Sequence, residues 1–224
     1  MLLFDIGANR GDATVAGLNK GFDKIVAVEA APRVFKELAG RFLYTSGVVC
    51  IKAAVAETAN QQVEFYEAEE DGLSTLYKEW LTSEEMPYNG KPYRTIKVTT
   101  TSIDQLVVDF GKPDLIKVDV EGAEWGVFAG MSWNYGPITF EWTINTLDEH
   151  GDQLTFFLSL GYKEFAPQFI VNHLEEPTEW FPLKPDMKNV LHDWVVNNSE
   201  DWVNGGWKEA GLRPTADVGM LWVR

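Results

Sequence analysis

The sequence predicts an α/β fold: a doubly wound, mostly parallel sheet with helices on both faces. Three observations predict it. Apolar strand-like runs alternate with amphipathic helix-like runs over most of the 224 residues, the pattern of a parallel sheet linked by helical crossovers. The first run, Leu2–Ile6, breaks straight into a glycine loop, Gly7 to Gly11. Polar or small residues then recur where strands should end, at Glu29, Ala53, Asp119 and Glu141. Sheets of this class bind ligands beyond the carboxyl ends of their strands.

The elements follow in order. Leu2–Ile6 reads as a buried strand, and Asp12 can cap a helix over Ala13–Lys20 that Gly21 ends. Lys24–Glu29 is a second strand. Pro32 opens a helix over Arg33–Phe42, with Val34, Leu38 and Phe42 along one face. Val48–Ala54 reads as a third strand, and Val63–Glu67 alternates as if in a hairpin with Val55 and Ala56. Thr95–Thr101 is extended and Ile103–Phe110 helical. Leu115–Val120, a short helix Ala123–Gly130, the strand Ile138–Trp142 and the helix Gly151–Leu160 complete the alternation, with Tyr162–Ala166 and Val218–Val223 as the last strands. One domain over 1–224 accommodates all of this. Residues 68–94 interrupt it as a flap or long loop, carrying Asn89-Gly90, Pro87 and Pro92. Residues 167–214 read as an irregular insertion before the last strand, holding Trp180, Trp194, Trp202 and Trp207. That insertion is a candidate acceptor-binding region.

Bulk properties narrow the partners. The residues are 45% hydrophobic and 13% aromatic, enough for a large core and too much for a disordered chain. The formal charge of −15 would repel a nucleic-acid backbone. No apolar run approaches the roughly 20 residues that span a bilayer, and no basic stretch precedes an apolar segment as in a signal peptide. A cytoplasmic protein without nucleic-acid or membrane partners is expected, while its oligomeric state stays open. The lone Cys50 forms no internal disulfide and reads as a buried thiol.

Four constellations carry chemistry. The first is Asp5-Ile6-Gly7-Ala8-Asn9-Arg10-Gly11-Asp12. Its glycines let the backbone turn and approach a ligand. The spacing is G-x-x-x-G rather than the G-x-G-x-x-G of dinucleotide sites, and Asp5 and Asp12 flank it where a pyrophosphate would be repelled. A cationic or zwitterionic ligand fits better, and S-adenosylmethionine, with its amino-acid end and sulfonium, meets that description. The second is Glu29, followed by Ala30, which can accept hydrogen bonds from ribose hydroxyls. NAD enzymes use the same device, so an NAD(P)-dependent oxidoreductase and a non-catalytic nucleoside-binding protein remain alternatives. The third is Asp114–Glu124, DLIKVDVEGAE, where Asp119, Glu121 and Glu124 gather at a strand end. Their possible roles are cofactor contact, a general base, or ligation of a divalent metal with Glu141. Glu124 also suits the start of a helix on electrostatic grounds. The fourth is Glu141 with His150, a carboxylate inside an apolar strand and a histidine that can act as base. His173 and His192 have no ligand spacing, and no G-x-S-x-G elbow is present.

At these residues the chain resembles the FkbM family of methyltransferases, within the Rossmann-like class I methyltransferases. FDIGANRGD resembles the family's first cofactor motif, VAVEAAP its second, and LIKVDVEGAE its most particular segment. The likeness runs over about residues 2–165 and leaves 167–214 unmatched. It implies a seven-stranded, mostly parallel sheet with the last strand antiparallel. It implies S-adenosylmethionine and O-methylation of a sugar or small-metabolite hydroxyl. By the same resemblance Asp5, Gly7, Ala8, Asn9 and Gly11 line the methionine side, Glu29 and Ala30 the ribose, Ala53 and Ala54 the adenine, and Asp119 lies near the transferring methyl. Asp119, Glu121, Glu141 and His150 are the candidates for handling the acceptor proton.

Overall fold

The computed structural model describes residues 1–86, 88–169, 174–201 and 218–224. The chain forms two compact units, Met1–Gly136 and Pro137–Arg224.

In the first unit, β1 (Leu2–Ile6), α1 (Asp12–Asn19), β2 (Lys24–Glu29), α2 (Pro32–Phe42) and β3 (Val48–Lys52) follow one another. Next come β4 (Ala54–Val55), β5 (Gln62–Ala68), α3 (Glu79–Thr82), β6 (Tyr93–Thr101), α4 (Ile103–Phe110), β7 (Leu115–Val118) and α5 (Glu124–Ala129). Strands β7, β1, β2 and β3 lie side by side, all parallel. Every residue of β1 and β7 is buried, which is why both read as apolar runs, interrupted only by Asp5 and Lys117, rather than as alternating ones. Pro32 starts α2, and its Val34, Leu38 and Phe42 are buried as the spacing predicts. Ser102 caps α4, accepting from the Gln105 amide at 3.1 Å.

The third strand is shorter than expected. It stops at Lys52, and β4 leaves for a separate sheet of order β4-β6-β5. Val55 therefore runs parallel to Thr101, and β5 pairs with β6 instead of forming a hairpin with Val55. Burial drives this split: Phe65 and Val98 from β5 and β6 pack with Ala54, Ala31 and Val34 in one apolar cluster. Residues 68–94 are more ordered than a loop, containing the one-turn α3 and the cluster of Ala68, Leu73, Trp80 and Leu81. Pro87 lies outside the described residues.

In the second unit, β8 (Ile138–Thr143) leads through a 3-10 turn, Ile144–Thr146, into α6 (Leu147–Ser159). Helix α6 begins four residues before the expected Gly151, because Thr143 and Thr146 exchange hydrogen bonds across that turn. Then come β9 (Glu164–Gln168), β10 (Phe181–Pro182), α7 (Val190–Asp201) and β11 (Val218–Val223). Strand β11 lies between β8 and β9, antiparallel to both, the direction expected of the last strand. Its core is aromatic, with Phe140, Trp142, Phe157 and Tyr162 fully buried. The segment expected to be irregular holds β10 and α7, while Trp202, Trp207 and Pro214 lie outside the described residues. The chain has the doubly wound α/β class, with four strands in the main sheet of each unit where seven in all were expected. The two-residue β10, antiparallel on β9, is the added one.

Candidate functional site

The site grows from the glycine loop of the first unit. Gly7 and Ala8 both donate to the Val28 carbonyl, at 3.0 and 2.9 Å, which ties the loop to the end of β2. Gly7 has φ +70°, and a Cβ there would sit 1.7 Å from the Asp119 carbonyl oxygen, so only glycine lets β1 and β7 end together. Asn9 also adopts a left-handed φ, 47°. Its amide donates to Glu29 Oε2 at 2.9 Å, and the Ala31 amide donates to Oε1 at 2.7 Å. Burial pushes the Glu29 carboxyl above its usual range against the pull of these two amides. Fixed by its backbone partners, it faces the cleft with its remaining lone pairs.

Behind the loop lies a buried group that sequence reasoning passed over. Lys117 Nζ is 3.3 Å from Asp5 Oδ1, 3.3 Å from Asp119 Oδ2 and 2.9 Å from the Gly7 carbonyl oxygen. Asp5 accepts from Thr14 Oγ1 on its other oxygen at 2.6 Å. Burial disfavours the Lys117 cation, but Asp119 and Asp5 together outweigh it and raise the pKa. The signal was available, since a lysine inside a four-residue apolar strand needs an acid beside it.

The loop after β7 is held from two sides. Glu121 takes a left-handed φ of 56° and accepts from Trp80 Nε1 at 3.1 Å. The Trp80 ring lies where a Gly122 Cβ would be, at 2.6 Å, so residues 68–94 dock on this loop through one indole. Glu124 accepts from the Val120 and Gly122 amides at 3.4 and 3.3 Å. Burial raises its pKa to about 7, offset by those amides and reinforced by Asp119. Above Asn9, Asp71 pairs with both Arg10 and Arg33, which ties the flap to the glycine loop and to α2.

These parts line a small cleft that is partly open to solvent. Of the predicted residues, Gly7, Asn9, Glu29, Ala30, Ala53, Ala54, Asp119 and Glu121 line it. Asp5, Ala8 and Gly11 are not among its lining residues. Asp5 is sealed between Thr14 and Lys117, Ala8 packs with Ala27, Leu38 and Phe42, and a Gly11 Cβ would meet Phe42 at 2.3 Å. Phe65, Gly72, Ser74 and Leu76 line the cleft as well. They come from the small sheet and the flap, whose long-range pairing no local pattern reveals.

Glu141 and His150 belong to the second unit. Glu141 lies on β8 opposite Met220. His150 is buried, with Nε2 3.1 Å from Thr146 Oγ1 and Nδ1 2.7 Å from Gln153 Oε1. Burial lowers its pKa to about 4, against the pull of Gln153. The two described tryptophans of the insertion are engaged: Trp194 stacks on Phe169 at 4.6 Å, and the Arg224 guanidinium lies 3.9 Å over Trp180. His173 lies outside the described residues. Cys50 is half-buried rather than fully buried, and burial followed by Asp5 raises its pKa. Among the described residues no helix is long and apolar enough to cross a membrane.

The fold is similar to an S-adenosylmethionine-dependent methyltransferase from Mesorhizobium loti, at 10% identity over 99% of this chain and 89% of that one, TM-score 0.44. It is similar to precorrin-6y C5,15-methyltransferase from Geobacter metallireducens, at 11% identity over 100% and 79%, TM-score 0.43. It is also similar to fibrillarin from Aeropyrum pernix in complex with S-adenosylmethionine, at 11% identity over 100% and 65%, TM-score 0.44. No curated protein matches the chain. The methyltransferase FkbM domain model matches residues 5–164, a span that holds the glycine loop, Glu29 and the DVEGAE segment and is well over half of the chain. The chain therefore belongs to the FkbM methyltransferases.

Proposed function

We propose that the cleft of the first unit binds S-adenosylmethionine and directs its methyl group to the hydroxyl of a sugar or small metabolite. The observation that carries this reading is Glu29, a buried carboxylate held at the end of β2 by two backbone amides, which suits a ribose diol. The residues fit the cofactor in two further ways. Asn9 Oδ1 is buried without a hydrogen-bond partner, an acceptor waiting for a donor such as an ammonium. Ala53 and Ala54, with Phe65 and Val34, form an apolar stretch of wall suited to adenine.

The bound cofactor supplies an electrophilic methyl on a sulfonium. The protein orients the acceptor oxygen in line with it and takes up the proton that the hydroxyl releases. Asp119 is our first candidate for that proton and Glu121, fixed by Trp80, the second. Glu141 is the third. His150 we assign to packing, because both ring nitrogens are engaged and burial keeps it neutral. We further propose a cytoplasmic enzyme whose two units serve one methyltransferase domain, with residues 167–214 contributing to acceptor choice and with neither nucleic acid nor membrane as partner.

A panel of sugars and small hydroxyl, amine and carboxyl compounds, incubated with radiolabelled S-adenosylmethionine, tests the reading. Label is expected on hydroxyl compounds, and transfer is expected to fall at least about 100-fold in Asp119→Asn, the scale of a lost general base. Label only on amines, or an Asp119→Asn enzyme as fast as wild type, would overturn it.

A further inference from the structure

We propose that the buried Asp5–Lys117–Asp119 chain sets how strongly the cleft prefers the charged cofactor over its uncharged product, with Lys117 as the positioning residue. This rests on the placement of the cofactor beside Asp119 given above. Lys117 Nζ stands 3.3 Å from each carboxylate and donates to the Gly7 carbonyl at 2.9 Å. Two carboxylates and one ammonium leave one net negative charge. Asp5 is sealed from solvent, while Asp119 lines the cleft, so that surplus faces the ligand. A bare pair of acids here would repel each other. The lysine holds both in place and leaves the smallest negative surplus that still attracts a cation.

S-adenosylmethionine carries a positive sulfonium, whereas S-adenosylhomocysteine carries a neutral thioether and is otherwise the same molecule. Methyl transfer therefore removes the charge that this surplus attracts, and the product loosens. The ratio of the two affinities reads the surplus directly, since contacts to ribose and adenine cancel. One unit of charge at roughly 10 Å, with an effective dielectric near 20, shifts such a ratio by about tenfold.

Two variants change the surplus. Asp5→Asn takes it from one negative charge to zero, and the Asp5→Asn/Lys117→Met double variant restores one. Calorimetric titration of each with both ligands should show the preference for S-adenosylmethionine falling about tenfold in Asp5→Asn. In the double variant it should return to the wild-type value, which a purely structural lysine would not achieve. Should the double variant fail to fold, Asp5→Asn alone decides, because asparagine keeps an acceptor for Thr14. An unchanged ratio in folded Asp5→Asn, or a folded double variant that stays at the Asp5→Asn value, would overturn the proposal. Glu29→Ala serves as the control: if it also binds both ligands like wild type, the cofactor lies elsewhere, and the placement rather than the charge mechanism has failed.

Discussion

Each unit of the chain buries a basic side chain, and the two fare oppositely. Lys117 sits in β7 between Asp5 and Asp119. Burial works against its charge, yet the two acids outweigh burial and the pKa rises. His150 sits in α6 with neutral partners, Thr146 and Gln153, and burial lowers its pKa to about 4. Burial supplies the stakes in both places, and the charge of the neighbours decides the outcome. Where acids converge at a strand end, the buried group stays ionised and serves a site. Where they do not, it becomes neutral filling between Phe140 and the rest of an aromatic core.

The largest effect expected from this contrast is on stability. Lys117→Met strands Asp5 without a counter-charge, a loss of about 3–5 kcal/mol by urea unfolding. The Asp5→Asn/Lys117→Met double variant should recover much of it, as coupled sites do. A cost below about 1 kcal/mol would place Lys117 with ordinary surface lysines and break the comparison.

The next effect is a pH dependence of opposite sign in the two units. His150 is held at about 4 against an ordinary 6.5. The unfolded chain therefore binds the proton first, and the stability His150 contributes is present above pH 6.5 and lost as pH falls toward 4. The loss reaches about 3 kcal/mol. Glu124 is held at about 7 against 4.5, so its contribution is complete below pH 4.5 and lost as pH rises through 7, on a similar scale of about 3 kcal/mol. Urea unfolding across this range should show His150→Gln flattening the acid side and Glu124→Gln the neutral side. If both variants kept the wild-type profile, burial would not govern these groups.

The smallest effect concerns the exposed charges of the flap. Asp71 pairs with Arg10 and Arg33, but both arginine side chains are about half exposed, at 51% and 44%. Solvent screens such pairs, so Asp71→Asn should cost less than about 1 kcal/mol, and that cost should vanish in high salt. A larger, salt-resistant loss would make the flap a structural part of the cleft on the same footing as Lys117.

Local signals carried much of this molecule. Gly7, Glu29 and Asp119 were legible because glycine loops and terminal acids follow apolar strands within a few residues, and the structure brings them to one cleft. Asp5, Ala8 and Gly11 belong to the same motif but are not among the residues that line the cleft. A motif does not tell which of its residues face forward. Lys117 was overlooked because its partners lie 112 residues upstream and two residues downstream, and only folding unites them. The exit of β4 to pair with β6 depends on a non-local register, and α7 was hidden by a polar sequence in a segment crowded with tryptophans.

Calorimetric titration of Glu29→Ala, with its native fold checked by circular dichroism, tests whether Glu29 and the glycine loop hold S-adenosylmethionine in the first unit. At least about tenfold weaker binding is expected, the worth of one hydrogen bond to a charged group, with the circular dichroism spectrum unchanged. A folded Glu29→Ala protein that binds S-adenosylmethionine as tightly as wild type would contradict that placement.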